Sequence, residues 1–137
     1  MKILATILTA SLMFIGSITF NKKQTITATV INVSSDSGKV SFALYNKETF
    51  MQKPLQSKNA KIVEGKSTVT FKNVELGEYA VICFHDKNDN DKMDFEANGM
   101  PMEDYGMSNN VMSFGPPTYA DSKFEVSAEG VNLEIKF

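Results

Sequence analysis

The chain has 137 residues, 14 lysines against 16 acids, no arginine, and a formal net charge of −2. Without guanidinium forks or any basic patch, a nucleic-acid partner is excluded. A single cysteine, Cys83, excludes an intrachain disulfide, and the length suits one domain with one modest core.

Residues 1–19 read as a secretory signal peptide. Lys2 gives a short positive start, Ile3 to Ile15 is almost wholly apolar, and Ser17 and Thr19 are the small residues before cleavage at Phe20. The apolar run falls short of the roughly 20 residues that a membrane span needs. An uncleaved anchor is the alternative, since the cleavage site lacks alanines. No cysteine ends the segment, so lipid attachment is not indicated. The expectation is an exported protein, periplasmic or secreted. Residues 20–137 then form a single domain with no membrane span after cleavage.

From residue 24 to 33, Ile26, Ala28 and Val30 alternate with Thr25, Thr27 and Thr29, the period of a half-buried strand. A polar turn ending at Gly38 follows, then a second alternation over 39–45 with Val40, Phe42 and Leu44 on one face. Such a pair predicts a hairpin. Residues 58–64 and 67–74 predict the next pair, turning at Gly65-Lys66. The almost continuously apolar run 79–85 predicts a central strand. Tyr79, at its start, is placed to donate to a nearby backbone carbonyl as a corner tyrosine does; an ordinary core tyrosine is the alternative. Cys83, among Val81, Ile82 and Phe84, reads as a buried small hydrophobe. Two further strands are predicted at 122–126 and 130–137. Seven short strands without a long helix predict an all-β fold, an antiparallel β-sandwich of immunoglobulin or transthyretin type. Residues 86–121 form one long loop, too rich in aromatic and methionine side chains to be disordered.

That loop carries the chemistry. Asp86, Asn88, Asn90 and Asp94 occupy positions 1, 3, 5 and 9 of a tight turn. A hard cation such as Ca²⁺ takes six to eight oxygens at roughly 2.3–2.6 Å, and this spacing aims oxygens inward together. Lys92, at position 7, offers its backbone carbonyl, and Glu103 or Asp104 can reach back from the following turn. Position 6 is Asp91 rather than the glycine of an EF-hand, and position 12 is Ala97 rather than glutamate. With no amphipathic helix ahead of it, the loop is not an EF-hand. Between Asp86 and Asp104, seven acids face two lysines, a net charge of −5 that a divalent cation relieves. The alternative is a polar turn whose acids face water.

His85 is the only histidine, and no nucleophile elbow, phosphate loop or dinucleotide fingerprint is present. The residues therefore point to a non-catalytic exported module with a Ca²⁺-binding Asp/Asn loop. Its partner would be an envelope or extracellular protein or glycan. Two alternatives remain: a small hydrolase using the same metal to activate water, and a carbohydrate-binding surface built from His85, Tyr105, Phe114 and Tyr119.

Four blocks carry a resemblance: Leu76-Gly77-Glu78-Tyr79-Ala80-Val81, then His85 through Asp94, then Gly99 through Asn110 and Phe114 through Phe124. With these the chain resembles a family of exported bacterial proteins, the domain of unknown function two-one-four-one. The resemblance implies a small transthyretin-like or immunoglobulin-like sandwich and no assigned activity. Asp91 stands where that family usually has glycine.

Overall fold

The computed structural model describes residues 22–137, so the leader lies outside the described residues. Among the described residues eight strands form in chain order: β1 (Gln24–Val30), β2 (Lys39–Tyr45), β3 (Gln56–Ala60), β4 (Ser67–Val74), β5 (Gly77–Asp86), β6 (Tyr105–Met107), β7 (Phe124–Val126) and β8 (Val131–Ile135). A 3-10 turn at Ser108–Asn110 and one helical turn, α1 (Tyr119–Ser122), follow β6. The smaller sheet runs β4–β1–β8 and the larger β3–β2–β5–β6, with β7 paired to the first residues of β5. The result is an all-β sandwich. Its pairings are antiparallel except β1 with β8, which run parallel, a departure from the all-antiparallel expectation.

The alternating patterns place the strands but not their partners. A β1–β2 hairpin across Gly38 does not form. That turn carries the chain between sheets, so β1 lies between β4 and β8 while β2 lies between β3 and β5. Likewise β3 and β4 fall in different sheets, and only a bridge between Val63 and Lys66 spans the Gly65 turn. Both corrections share a cause: period-two alternation says which face is buried, not which strand lies alongside.

Ile26, Ala28, Val30, Phe71 and Ile135 of the smaller sheet meet Val40, Phe42, Leu44, Val81 and Cys83 of the larger, all of them buried. Full burial of a side chain such as Phe42 or Phe71 contributes about 1.5–3 kcal/mol. The outer face of the smaller sheet is polar, with Thr27 facing Thr70 at 3.4 Å and Thr29 facing Thr68 at 3.0 Å.

Tyr79 donates its hydroxyl to the Glu75 carbonyl at 2.9 Å, the corner arrangement. Tyr79→Phe deletes that one bond while keeping the ring. The expected cost is about 1 kcal/mol, measured as a lower urea midpoint at unchanged slope.

Residues 86–121 are less irregular than their sequence indicates. Strand β5 runs on to Asp86, and β6 pairs with it through Ile82–Met107, Cys83–Gly106 and Phe84–Tyr105. Immediately after β6, Ser108 is fully buried. Its Oγ accepts from the Val81 N–H at 3.1 Å and donates to the Ser122 carbonyl, pinning the far end of the loop to β5.

Candidate metal centre

Strand register builds this site. Asp86 ends β5 opposite Lys39, which begins β2. The Asp86 side chain is 0% exposed; Oδ1 accepts from the Asn90 N–H at 3.1 Å and Oδ2 from the Asp91 N–H at 2.9 Å. The chain can fold back so sharply because Asp89 and Asp91 both adopt left-handed backbone, with φ of 58° and 64°. Aspartate tolerates that region better than most residues, so Asp91 makes the turn without glycine.

The oxygens then divide into two groups. In the first, the Lys39 ammonium stands among three carboxylates, 3.8 Å from Asp86, 2.7 Å from Asp89, and in direct contact with Asp91. Hydrogen bonds, first to Asp89 and then to Asp91, hold its pKa well above the ordinary lysine range. Part of the crowding evident in the sequence is therefore relieved by an ammonium from a strand about fifty residues away.

In the second group, side chains gather on Asp94. The Asn88 amide donates to Asp94 Oδ2 at 2.8 Å, and the Asn90 amide to both Asp94 oxygens at 2.9 Å. The Asp94 N–H donates to Glu103 Oε2 at 3.3 Å, and Glu103 is 7% exposed. Glu103 is thus the acid that reaches back. Asp104 turns away to Lys87 at 3.7 Å and Ser34 at 3.2 Å. Each asparagine carries an amide oxygen beside its nitrogen, so the same four side chains can offer oxygens to a hard cation. Lys92 contributes its backbone to the turn, its N–H donating to Asn90 Oδ1 at 3.2 Å. Among the described residues, no three His, Cys, Asp or Glu side chains assemble as a metal-binding group. The carboxylates Asp94 and Glu103 therefore need the two asparagines to complete a set. Asp86, whose two oxygens each accept a backbone N–H of the turn and which also faces Lys39, organises the loop.

The four aromatic and histidine candidates do not share one surface. His85 is 0% exposed on the core face of β5, and its Nε2 lies 2.7 Å from the Ser37 carbonyl. Phe114 is fully exposed. Tyr119 packs edge-on against Phe50, with ring centroids 5.5 Å apart, and Phe50 packs in turn against Tyr45. Tyr105 is half-buried on β6 and lines a cleft with Phe84. Cys83 is buried, donates to the Gly106 carbonyl at 3.7 Å, and has its thiol pKa pushed up by burial.

Sequence reasoning missed Lys39, whose neighbourhood with the loop exists only through the β2–β5 register. Among the described residues no helix is long and apolar enough to cross a membrane. No curated protein matches the chain, and no solved structure does. The family model described as an uncharacterized protein conserved in bacteria matches residues 28–134, from within β1 to within β8, and the chain belongs to that family, DUF2141.

Proposed function

We propose that the chain is an exported, non-catalytic β-sandwich module that binds Ca²⁺ through Asn88, Asn90, Asp94 and Glu103, with Asp86 and the Lys92 backbone shaping the loop. Its partner is an envelope or extracellular protein or glycan. The observation that carries the ion reading is the convergence of the Asn88 and Asn90 side chains on the Asp94 carboxylate, with the Glu103 carboxylate held at the Asp94 N–H. The leader pattern of residues 1–19 supports export. The hydrolase alternative needs His85 beside the ion, and that ring stands on the core face of β5, bonded to Ser37.

Extracellular Ca²⁺ modules bind at roughly 10⁻⁴–10⁻³ M. At tenfold excess over the dissociation constant, binding adds about 1.4 kcal/mol, or about 5 °C in the melting midpoint of a domain this size. Melting the purified protein with calcium and with chelator is expected to show that rise, and Asp94→Ala to abolish it. Identical midpoints in the two buffers would overturn the proposal.

A further inference from the structure

The outer face of the larger sheet is not built for water. Register aligns Asn59, Ser41, Phe84 and Tyr105 in one cross-strand row, and Ser57, Ala43 and Ile82 in the next. On β2 the inward positions are large, Val40, Phe42 and Leu44, whereas the outward Ser41 and Ala43 are small. A low floor flanked by Phe84, Ile82 and Tyr105 results. The exposed face of the smaller sheet, with its threonine pairs, shows what a solvated face of this same protein looks like.

The loop after β5 roofs this floor without collapsing onto it. Residues 94–102 form their own small hairpin. Glu96 N–H donates to Met100 at 2.8 Å, Met102 N–H donates to Asp94 at 2.9 Å, and Phe95 bridges Pro101. These bonds close the hairpin on itself, and as a wall it lines one cleft together with the outer face of the sheet. Its apolar side chains remain open: Phe95 and Met100 are each 59% exposed, and Met51, which also lines the cleft, is 52% exposed. Between wall and floor lies a cleft of about 790 Å³, within the roughly 300–1,000 Å³ range of small-molecule sites.

Charge selects the occupant. Among the described residues, no lysine, arginine or histidine lines the cleft, and the one carboxylate that does, Asp91, is held by Lys39. An anion entering would lose its hydration without a counter-charge. Ser41, Ser57 and Asn59 supply hydrogen-bonding groups along one side, and the methionines adapt to irregular apolar shapes.

We propose that this cleft is a binding site for an uncharged, mainly apolar small organic molecule with a polar end directed at the Ser41–Ser57–Asn59 edge. The site does not need bound calcium: its floor is strand, and its wall, although rooted at the proposed ligand Asp94, is closed by backbone bonds that form without the ion.

The test uses two fluorescent probes of one ring skeleton, neutral N-phenyl-1-naphthylamine and its sulfonated counterpart 8-anilinonaphthalene-1-sulfonate, titrated onto the purified protein in calcium and in chelator. The neutral probe is expected to bind at least about tenfold more tightly, corresponding to about 1.4 kcal/mol, in both buffers. Ala43→Phe, which fills the floor from the outward face, is expected to weaken it by about tenfold or more. Ser41→Lys is expected to shift preference toward the sulfonate. Thr70→Phe, on the outer face of the smaller sheet, leaves binding unchanged. Circular dichroism confirms that each variant is folded. Equal affinity for the two probes, no binding of the neutral one, or full binding by folded Ala43→Phe would overturn the proposal. So would a dimer that Ala43→Phe dissociates, which would make the face a contact between copies. Loss of probe binding in chelator alone would overturn the independence from calcium, while unchanged melting with intact probe binding would sink the metal reading alone.

Discussion

Gly38→Ala is expected to destabilise the protein by about 3 kcal/mol or more, measured as a fall in the urea midpoint at unchanged slope. A Cβ at Gly38 would stand 2.0 Å from the Asp86 carbonyl oxygen and 2.9 Å from both the Cα and the carbonyl oxygen of Lys87. All three atoms are backbone, so no rotamer change can relieve the clash. Strands β2 and β5 would have to part where Lys39 faces Asp86, and there the loop is rooted. The left-handed φ of +71° adds roughly 1 kcal/mol for any residue with a Cβ. Gly99 separates the two effects. Its φ is +84°, but a Cβ there meets nothing within 4 Å, so Gly99→Ala is expected to cost only about 1 kcal/mol. Equal losses at the two glycines would show that close approach at Gly38 contributes nothing.

That close approach also explains why strands were more legible than partnerships. The bounds of β2 and β4 match their alternating sequence windows residue for residue, because β2 buries Val40, Phe42 and Leu44 and β4 buries Ser67, Val69, Phe71 and, past an irregularity, Val74. A glycine turn between two such strands reads as a hairpin, yet here Gly38 is needed so that the turn can pass over the Asp86–Lys87 backbone on its way to the other sheet. Nothing local distinguishes the two uses of glycine. Strand β6 was hidden for a related reason. It has three residues centred on Gly106, where a Cβ would meet the Lys136 carbonyl at 2.7 Å and Ile135 Cγ2 at 2.8 Å. Packing demands a residue there that carries no hydrophobic signal.

The candidate site was partly legible for the same physical reasons. Oxygen-bearing residues at alternate positions, with aspartate at the tight turn, are a local pattern, and the turn, the buried Asp86 and the returning Glu103 all follow it. The cation that already stands in the loop, Lys39, is a long-range partner supplied by register. The cleft beneath the 94–102 hairpin is also a register product: Ser41 and Ala43 look unremarkable in a strand until Phe84 and Tyr105 are set beside them.

Asp86→Ala is expected to cost about 3–5 kcal/mol, whether or not calcium is present. The substitution strips acceptors from the Asn90 and Asp91 N–H groups at the tightest point of the loop. Hydrogen bonds to a charged group contribute about 1.5–3 kcal/mol each, and Lys39 also loses one of its three carboxylates. Asp86→Asn keeps one acceptor oxygen and the volume, so its expected loss is roughly half as large. Asp94 differs in kind: it is half-buried, and its carboxylate is bonded by amide side chains rather than by buried backbone. Asp94→Ala should therefore cost no more than about 1 kcal/mol in chelator while removing the calcium response. Urea unfolding of both variants, each with calcium and with chelator, tests the division of labour. If Asp86→Ala unfolds like the parent, the loop is not held by that carboxylate; if Asp94→Ala keeps the calcium shift, the ion lies elsewhere. The two outcomes are separable because one side chain is bonded to the turn that shapes the loop and the other only to the side chains gathered within it.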